Sequence, residues 1–339
     1  MGFDVKTSGY GVLGRKLSEE ELIAALIGVE IAIVEFEPLN AKVMDAARDL
    51  KLIVACRNEP AANVDLEYAT QKGIPVIFTP GRNANAVAEY TIGLMLSVAR
   101  NISTAHHFLR YTDELTSVSY SDKSGDRKSI TSEWSLEPGA PFQRFQGVEL
   151  LGKNFGLVGF GAIGQSIARL ASAFGMKVLA YDPFQNLEVF NSFSTKQSSL
   201  KEIAINSDFI AMAAKVTPET TGIFSAELFE MMKPSAYFIN TARAALVDYD
   251  ALLHALQEKR IQGAALDVYP REPLENNSLF RDLDNLVLSP HLAGATLEVV
   301  HHHGEMVLAD LAEIGEGKIP RRAANPESFE DFFSRGGLR

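Results

Sequence analysis

The sequence predicts an α/β protein built on parallel sheets, and three observations carry that prediction. Short apolar runs alternate with amphipathic segments along most of the chain, the pattern of successive β-α-β units. One such unit, residues 154–182 (NFGLVGFGAIGQSIARLASAFGMKVLAYD), passes through a glycine-rich turn after its first apolar run and ends its second on an acid. The chain has 339 residues, 46% of them hydrophobic and 22% charged, enough for two domains with sizeable cores.

In chain order, residues 3–6 read as a first strand. An amphipathic helix over 18–27 is opened by Ser18, with Glu21 at capping-box spacing. Strands over 31–36, 52–56 and 75–78 alternate with helices over 40–48 and 65–72, the latter stopped by Gly73. From Asn85 the Ala-, Leu- and Met-rich pattern reads as one long helix to about Arg110, crossing from a first domain into a second. Residues 111–146 are polar, hold the only tryptophan, Trp134, and read as an insertion or interaction arm.

The fingerprint then opens the second domain. Gly159 permits a tight turn, Gly161 lets backbone approach a pyrophosphate, and Gly164 lets the helix pack close to its strand. The helix start offers free N–H groups and a positive dipole end to phosphates. Asp182, 18 residues beyond Gly164, is placed to accept hydrogen bonds from a ribose diol and to repel a 2′-phosphate, which favours NAD over NADP. Enzymes that use S-adenosylmethionine share part of this pattern, so the fingerprint alone names no chemistry. Alternation continues with helices over 199–205, 226–232 and 249–259 and strands over 209–213, 237–241, 263–268 and 286–288. A last helix, 297 to about 314, has no strand after it, so it returns to the first domain across a hinge near 293–296.

The net charge of −11 argues against nucleic acid and against anionic membranes, both of which need clustered basic surface. No run approaches the roughly 18 apolar residues of a membrane span, and no signal peptide is visible, so a cytoplasmic location is expected. Cys56 is the only cysteine and sits in an apolar run, as a buried strand thiol does. His301, His302 and His303 are adjacent on a helix and point in different directions, so no metal site is expected. His106 and His107 read as surface or interface residues.

Three polar residues fall just after expected strands, the edge at which open α/β sheets bind ligands: Arg243, Glu272 and His291. Beside a nicotinamide, this set suits hydride exchange with a 2-oxo/2-hydroxy acid. Arg243 grips the carboxylate and polarises the oxo group, His291 exchanges a proton with the oxygen, and Glu272 orients the imidazole and favours its charged form. Each also has a plain structural reading. Arg243 could pair with Asp248, Glu272 could be a surface acid and His291 a hinge residue. Their joint placement downstream of the fingerprint is harder to explain that way.

The segments GRNANAVAEYTIGLML, GKNFGLVGFGAIG, TPETTGIFS, MMKPSAYFINTARAALVD, GAALDVYPREPL and NLVLSPHLAGAT resemble the D-isomer-specific 2-hydroxyacid dehydrogenase family across most of residues 30–316. The resemblance implies two Rossmann-like parallel-sheet domains with an interdomain cleft. The substrate-binding domain would be flavodoxin-like and discontinuous, over 1–106 and 296–339, and the NAD-binding Rossmann domain would span 107–295. It also implies Arg243, Glu272 and His291 as the catalytic set and a homodimer joined through the cofactor domains. NAD contacts would fall on Gly159, Phe160, Gly161, Ala162, Ile163, Gly164, Asp182, Thr241 and Asp267, the last beside the nicotinamide amide. Substrate contacts are expected at Arg57, Asn58, Glu59, Asn83 and Lys215, together with Arg243 and His291.

The departures from the family pattern bear on substrate. Its glycine-containing substrate loop is here Arg57-Asn58-Glu59-Pro60-Ala61-Ala62, and the added charge of Arg57 points to a longer or more anionic acid. Ala213 and Lys215 replace the His/Pro pair before the T-P-E-T motif, and Ala244 stands where glycine is usual. The chain ends before a C-terminal regulatory domain could fit. The rival readings are a non-catalytic NAD-sensing binding protein or corepressor and, more weakly, a formate-oxidising relative, whose histidine pairs with glutamine.

Overall fold

A computed structural model describes residues 4–112 and 140–338. The chain divides into two compact units, Met1–Asn83 with Thr296–Arg339, and Ala84–Ala295.

The smaller unit carries three parallel strands, β1 (Ile31–Val34), β2 (Leu52–Ala55) and β3 (Val76–Phe78), side by side in that order. The strand expected over 3–6 does not form: Phe3 lies outside the described residues, and 4–6 join no ladder. The capping box is present, with Ser18 Oγ accepting from the Glu21 N–H and Glu21 accepting from the Ser18 N–H, and it opens helix Glu19–Ala25. One face of this sheet packs on Leu22, Leu39, Val43 and Met44. The other packs on Val307, Leu311 and Ile314 of helix Glu298–Gly315 and on Phe329 and Phe332 beyond it. Cys56 is buried in that second core, and burial pushes its thiol up to about 11. At neutral pH it is therefore a thiol, as the sequence implies.

Among the described residues, the larger unit holds seven strands: β4 (Asn154–Val158), β5 (Lys177–Tyr181), β6 (Lys196–Gln197), β7 (Phe209–Met212), β8 (Tyr237–Asn240), β9 (Gly263–Leu266) and β10 (Leu286–Leu288). All run parallel, in the order β10-β9-β8-β7-β4-β5-β6. This is the doubly wound order, reversing between β4 and β7, so a crevice for a dinucleotide opens beyond Val158 and Met212. Strands β7, β8 and β9 are buried along their whole length, hence their unbroken apolar runs. The edge strand β6 is two exposed residues, one of them a lysine, which blunts edge pairing.

Two expectations fail around the long helix. The segment from Asn85 to about Arg110 is two helices, Ala84–Ala99 and Ile102–Tyr111, broken at Asn101 in the left-handed region (φ 54°). The returning chain causes the break. The Val148 N–H takes the Ala99 carbonyl at 2.9 Å, and the Asn101 amide donates to the carbonyl of Phe145 at 3.3 Å. Gly147 passes so close that a Cβ there would lie 2.2 Å from the Ala99 oxygen. The division between units, expected at 106/107, lies at 83/84, because Ala88, Ile92, Met95 and Val98 of the first helix belong to the core of the larger unit with Ile167, Ala168 and Ala171. The insertion expected over 111–146, with Trp134, falls mostly outside the described residues.

Candidate active site

At the switch point the glycines behave as their spacing requires. Gly159 has φ 103°, and a Cβ on it would meet Ala214 N at 2.4 Å, so only glycine lets the ends of β4 and β7 lie this close. A Cβ on Gly164 would strike the Gly159 oxygen at 2.4 Å. A Cβ on Gly161 would meet nothing within 4 Å beyond its chain neighbours, so this side of the turn is open to a pyrophosphate. Helix Ala162–Ala173 starts there without a side-chain cap, so the first-turn N–H groups, those of Ala162 and Ile163 among them, remain for an anion.

Phe160 differs from the rest of the fingerprint. Its ring is fully buried and stacked on Phe190 at 4.7 Å, and its N–H is already bonded to Asp182 Oδ2 at 2.8 Å. It shapes the turn from below. Asp182 Oδ1 accepts from the Phe184 N–H at 2.9 Å. A carboxylate has about four acceptor sites, so both oxygens keep capacity for a diol. Asp182 lines a cavity of ≈310 Å³ with Tyr181, Pro183, Gln197, Ser198, Ser199 and Glu202, a size suited to a nucleoside. The residues present fit NAD on these observations.

Two of the three residues expected to carry chemistry, Glu272 and His291, lie past β9 and β10. Glu272 Oε2 lies 2.6 Å from His291 Nδ1, while its Oε1 accepts from the Tyr269 N–H at 3.0 Å. Because the carboxylate accepts, Nδ1 carries the proton in this contact, which leaves Nε2 as the ring nitrogen available to another partner. Burial raises the Glu272 pKa, but the bonds from His291 and Tyr269 and the charge of Arg243 outweigh it, and the net shift is downward. Glu272 thus ionises more readily than an ordinary glutamate. Arg243 is exposed, and its Nη1 donates to the Ala242 carbonyl at 2.7 Å.

Asp267 is bonded to the loop that carries His291. It is 0% exposed and its oxygens accept from Ser289 Oγ at 2.6 Å and from the N–H groups of Leu292 and Ala293 at 2.8 Å each. These bonds bracket His291, which sits in the left-handed region at φ 57°. Thr241 is also buried, its hydroxyl 2.7 Å from that of Thr91. Lys215 is exposed, and its carbonyl accepts from Thr220 Oγ1.

Sequence reasoning missed the groups that hold these loops. Buried Asn240 donates to the Arg243 carbonyl at 3.1 Å and accepts from the Ala242 N–H at 3.0 Å, fixing the turn that carries the guanidinium. Tyr269 OH bridges the carbonyls of Leu266 (3.0 Å) and Ser289 (2.8 Å), tying the end of β9 to the His291 loop. The available signal was a polar residue closing an apolar run, as in Phe238-Ile239-Asn240.

In the smaller unit, the Asn58 side chain accepts from the Gly81 N–H and donates to Asn83 Oδ1, both at 2.9 Å. Arg57 is half-buried with its guanidinium over the Phe36 ring, and Glu59 is exposed. Arg82 pairs with Glu35 at 2.8 Å and approaches His303 Nδ1 at 3.4 Å, while His302 Nδ1 lies 3.1 Å from the Arg82 carbonyl. Two of the three adjacent histidines therefore brace the strand-end loop that carries Asn83.

A model of the family described as D-isomer specific 2-hydroxyacid dehydrogenase, NAD binding domain, matches residues 92–293. YoaD of Bacillus subtilis is 37% identical over 293 residues, covering 86% of this chain and 78% of that protein. The glyoxylate reductase of Pyrococcus furiosus is 35% identical over 314 residues, covering 92% and 87%. The chain spans 55% of the length of rat D-3-phosphoglycerate dehydrogenase, with 36% identity. Among solved structures, the TT0316 protein of Thermus thermophilus superposes with a TM-score of 0.72 at 31% identity, over 91% of this chain and 90% of that one.

Proposed function

This chain belongs to the D-isomer specific 2-hydroxyacid dehydrogenase family, and from that premise we propose that it interconverts a D-2-hydroxy acid and its 2-oxo acid through Arg243, Glu272 and His291. It is an NAD-dependent oxidoreductase. NADH, when bound, supplies the hydride. In the reducing direction, Arg243 holds the substrate carboxylate and draws electron density from the oxo group. As an imidazolium, His291 gives its Nε2 proton to the oxo oxygen and keeps Nδ1–H toward Glu272, and in the oxidising direction the neutral ring takes the proton back on Nε2. Glu272 holds Nδ1–H throughout, which fixes the ring's pose and leaves Nε2 as the atom that exchanges the proton.

The observation that carries this reading is the 2.6 Å contact between Glu272 and His291 at the carboxyl edge of a dinucleotide-type sheet. A binding protein without chemistry needs no proton donor held by a carboxylate, which disfavours the sensor or corepressor reading. The relatives named above point to glyoxylate and D-3-phosphoglycerate chemistry, so the substrate lies in the range from small to phosphorylated or longer sugar-derived acids. Arg57, Asn58, Glu59, Asn83 and Lys215 are assigned to substrate. The Ala84–Ala295 unit is assigned to NAD, and the other unit to substrate.

We also assign a homodimer, joined through the cofactor unit, and a cytoplasmic location. Helix Ile102–Tyr111 exposes Ile102, Leu109 and Tyr111, and Phe142 adds to the apolar surface of the same unit. Mass by light scattering tests the dimer. The function is tested by NADH absorbance with glyoxylate, hydroxypyruvate, phosphohydroxypyruvate and longer 2-oxo acids. Turnover is expected, and His291→Ala should lower kcat by about 10²–10⁴ while NADH affinity is kept. A wild-type-like kcat in that variant, or an NADH-binding protein inert to every acid, refutes the reading.

A further inference from the structure

The cavity beside Asp182 holds a second carboxylate, one that lies outside the glycine fingerprint. Strand β6 pairs with β5 in the register Leu179–Lys196 and Ala180–Gln197, and the Ser198 N–H donates to the Ala180 carbonyl at 2.9 Å. Continued along both chains, that register brings Ser199 level with Asp182. Helix Leu200–Asn206 starts there, with Ser199 as its N-cap and Glu202 reaching back in a capping box. Asp182 and Glu202 therefore line the same ≈310 Å³ cavity, and among the described residues lining it there is no lysine or arginine.

Glu202 is held in place and charged. Its Oε2 accepts from the Ser199 N–H at 2.8 Å and from the Ser199 hydroxyl at 3.0 Å, and these bonds hold its carboxyl below the usual glutamate range. The Ser199 N–H, a donor that a phosphate in this cavity would otherwise take, is thereby occupied. The other oxygen, Oε1, has the Lys196 ammonium at 3.9 Å, with both side chains largely exposed. Water screens so loose a pair, and the cavity still feels most of the negative charge.

The 2′-phosphate that distinguishes NADP from NAD is largely a dianion at neutral pH. A dianion at roughly 6 Å from a carboxylate, in a water-like dielectric, meets a repulsion worth about tenfold in affinity. A pocket that takes this phosphate sets an arginine near it, whereas this one sets two acids and no cation. We propose that Glu202 is a second determinant of cofactor choice, acting with Asp182 to exclude a phosphate from the 2′-oxygen of the adenosine ribose. This rests on the NAD reading and deepens it: Asp182 is assigned the ribose diol, and Glu202 adds repulsion from the neighbouring strand end. Substituting Asp182 alone therefore leaves part of the discrimination in place.

The test is the ratio of the NADH and NADPH dissociation constants, from fluorescence titration of the full chain with and without Glu202→Gln. Glutamine can keep the capping box, so the substitution removes the charge and spares the helix start. The ratio should move about tenfold toward NADPH. Added salt should shrink the gap between variant and wild type, because screening weakens the repulsion that the variant lacks. Glu202→Arg should move the ratio further, and Glu202→Gln should add its step on top of Asp182→Asn. Calorimetry with AMP and adenosine 2′,5′-bisphosphate should show the same shift at the nucleoside end alone. An unchanged ratio in Glu202→Gln overturns the inference and leaves NAD binding standing. So does an equal weakening of both cofactors, the mark of a purely structural role. A wild-type chain that binds NADPH as tightly as NADH, or binds neither, overturns the NAD reading as well.

Discussion

Replacing Asp267 by asparagine separates two roles for a fully buried carboxylate. Its three bonds, from Ser289 Oγ and the N–H groups of Leu292 and Ala293, are charge-assisted, and at about 1.5–3 kcal/mol each they total roughly 5–9 kcal/mol gross. Against this stands the positive φ of His291, which costs a non-glycine residue about 1–3 kcal/mol. Asparagine keeps one acceptor but turns an NH2 toward the Ala293 N–H, so one bond is lost and a donor faces a donor. The expected destabilisation is about 2–4 kcal/mol, seen as a fall in melting temperature of roughly 4–16 °C for a unit of this size. The imidazole loses its fixed pose, and a misplacement on the order of 1 Å lowers kcat by about 10²-fold. Steady-state kcat is to be read beside NADH affinity from fluorescence titration. Loop positioning predicts a lowered kcat with NADH affinity close to wild type. Weakened NADH binding with normal kcat and melting temperature would show that Asp267 reads the nicotinamide amide and that the positioning argument is wrong.

The glycine turn gives a contrast. Gly159→Ala forces a Cβ into Ala214 N at 2.4 Å and should destabilise the unit, whereas Gly161→Ala meets nothing within 4 Å, so it should fold normally yet bind NADH poorly. Equal melting temperatures for the two variants, or normal NADH affinity for Gly161→Ala, would contradict this. Asp182→Ala should weaken NADH and relax discrimination against NADPH, and an unchanged cofactor ratio means the ribose is read elsewhere. His303 has its pKa lowered by burial first and by Arg82 next, against the opposing pull of Glu35. The unfolded chain therefore binds a proton that the folded one refuses between the lowered value and the ordinary histidine value. Stability should fall with falling pH across that window, and His303→Gln should flatten the slope in a pH series of urea unfolding curves.

The parts legible in the sequence were those whose physics is local. A capping box needs only Ser18 and Glu21, a fully buried strand such as β7 needs only Phe-Ile-Ala-Met, and the fingerprint needs its glycines and Asp182 at fixed spacing. What stayed hidden depends on chain distant in sequence. The break at Asn101 follows from Gly147 and Val148 crossing the Ala99 carbonyl, more than forty positions later. A periodic pattern running from Asn85 through Arg110 contains no sign of that crossing, and asparagine merely tolerates the left-handed conformation it imposes.

The same distinction divides the candidate site. Arg243, Glu272 and His291 could be named because exposed polar residues at strand ends are where chemistry is done in this class of sheet. Asn240, Tyr269 and Ser289 could not, because each is a buried polar group whose partner, a backbone carbonyl for the first two and the Asp267 carboxylate for Ser289, is set by the fold. A buried polar group must be bonded, but sequence does not say to what. Asp267 shows how the two kinds differ in consequence. Family resemblance places it beside the cofactor, while its full burial and three donors make it the anchor of the loop that presents His291. A left-handed histidine is unfavourable alone, and here it is held on both sides by bonds to one carboxylate. The pose of His291, the proposed proton donor, is thus set by Asp267 and its Nδ1–H is held by Glu272, so substitutions at these two acids should affect different observables: fold stability and kcat for the first, kcat and its pH profile for the second.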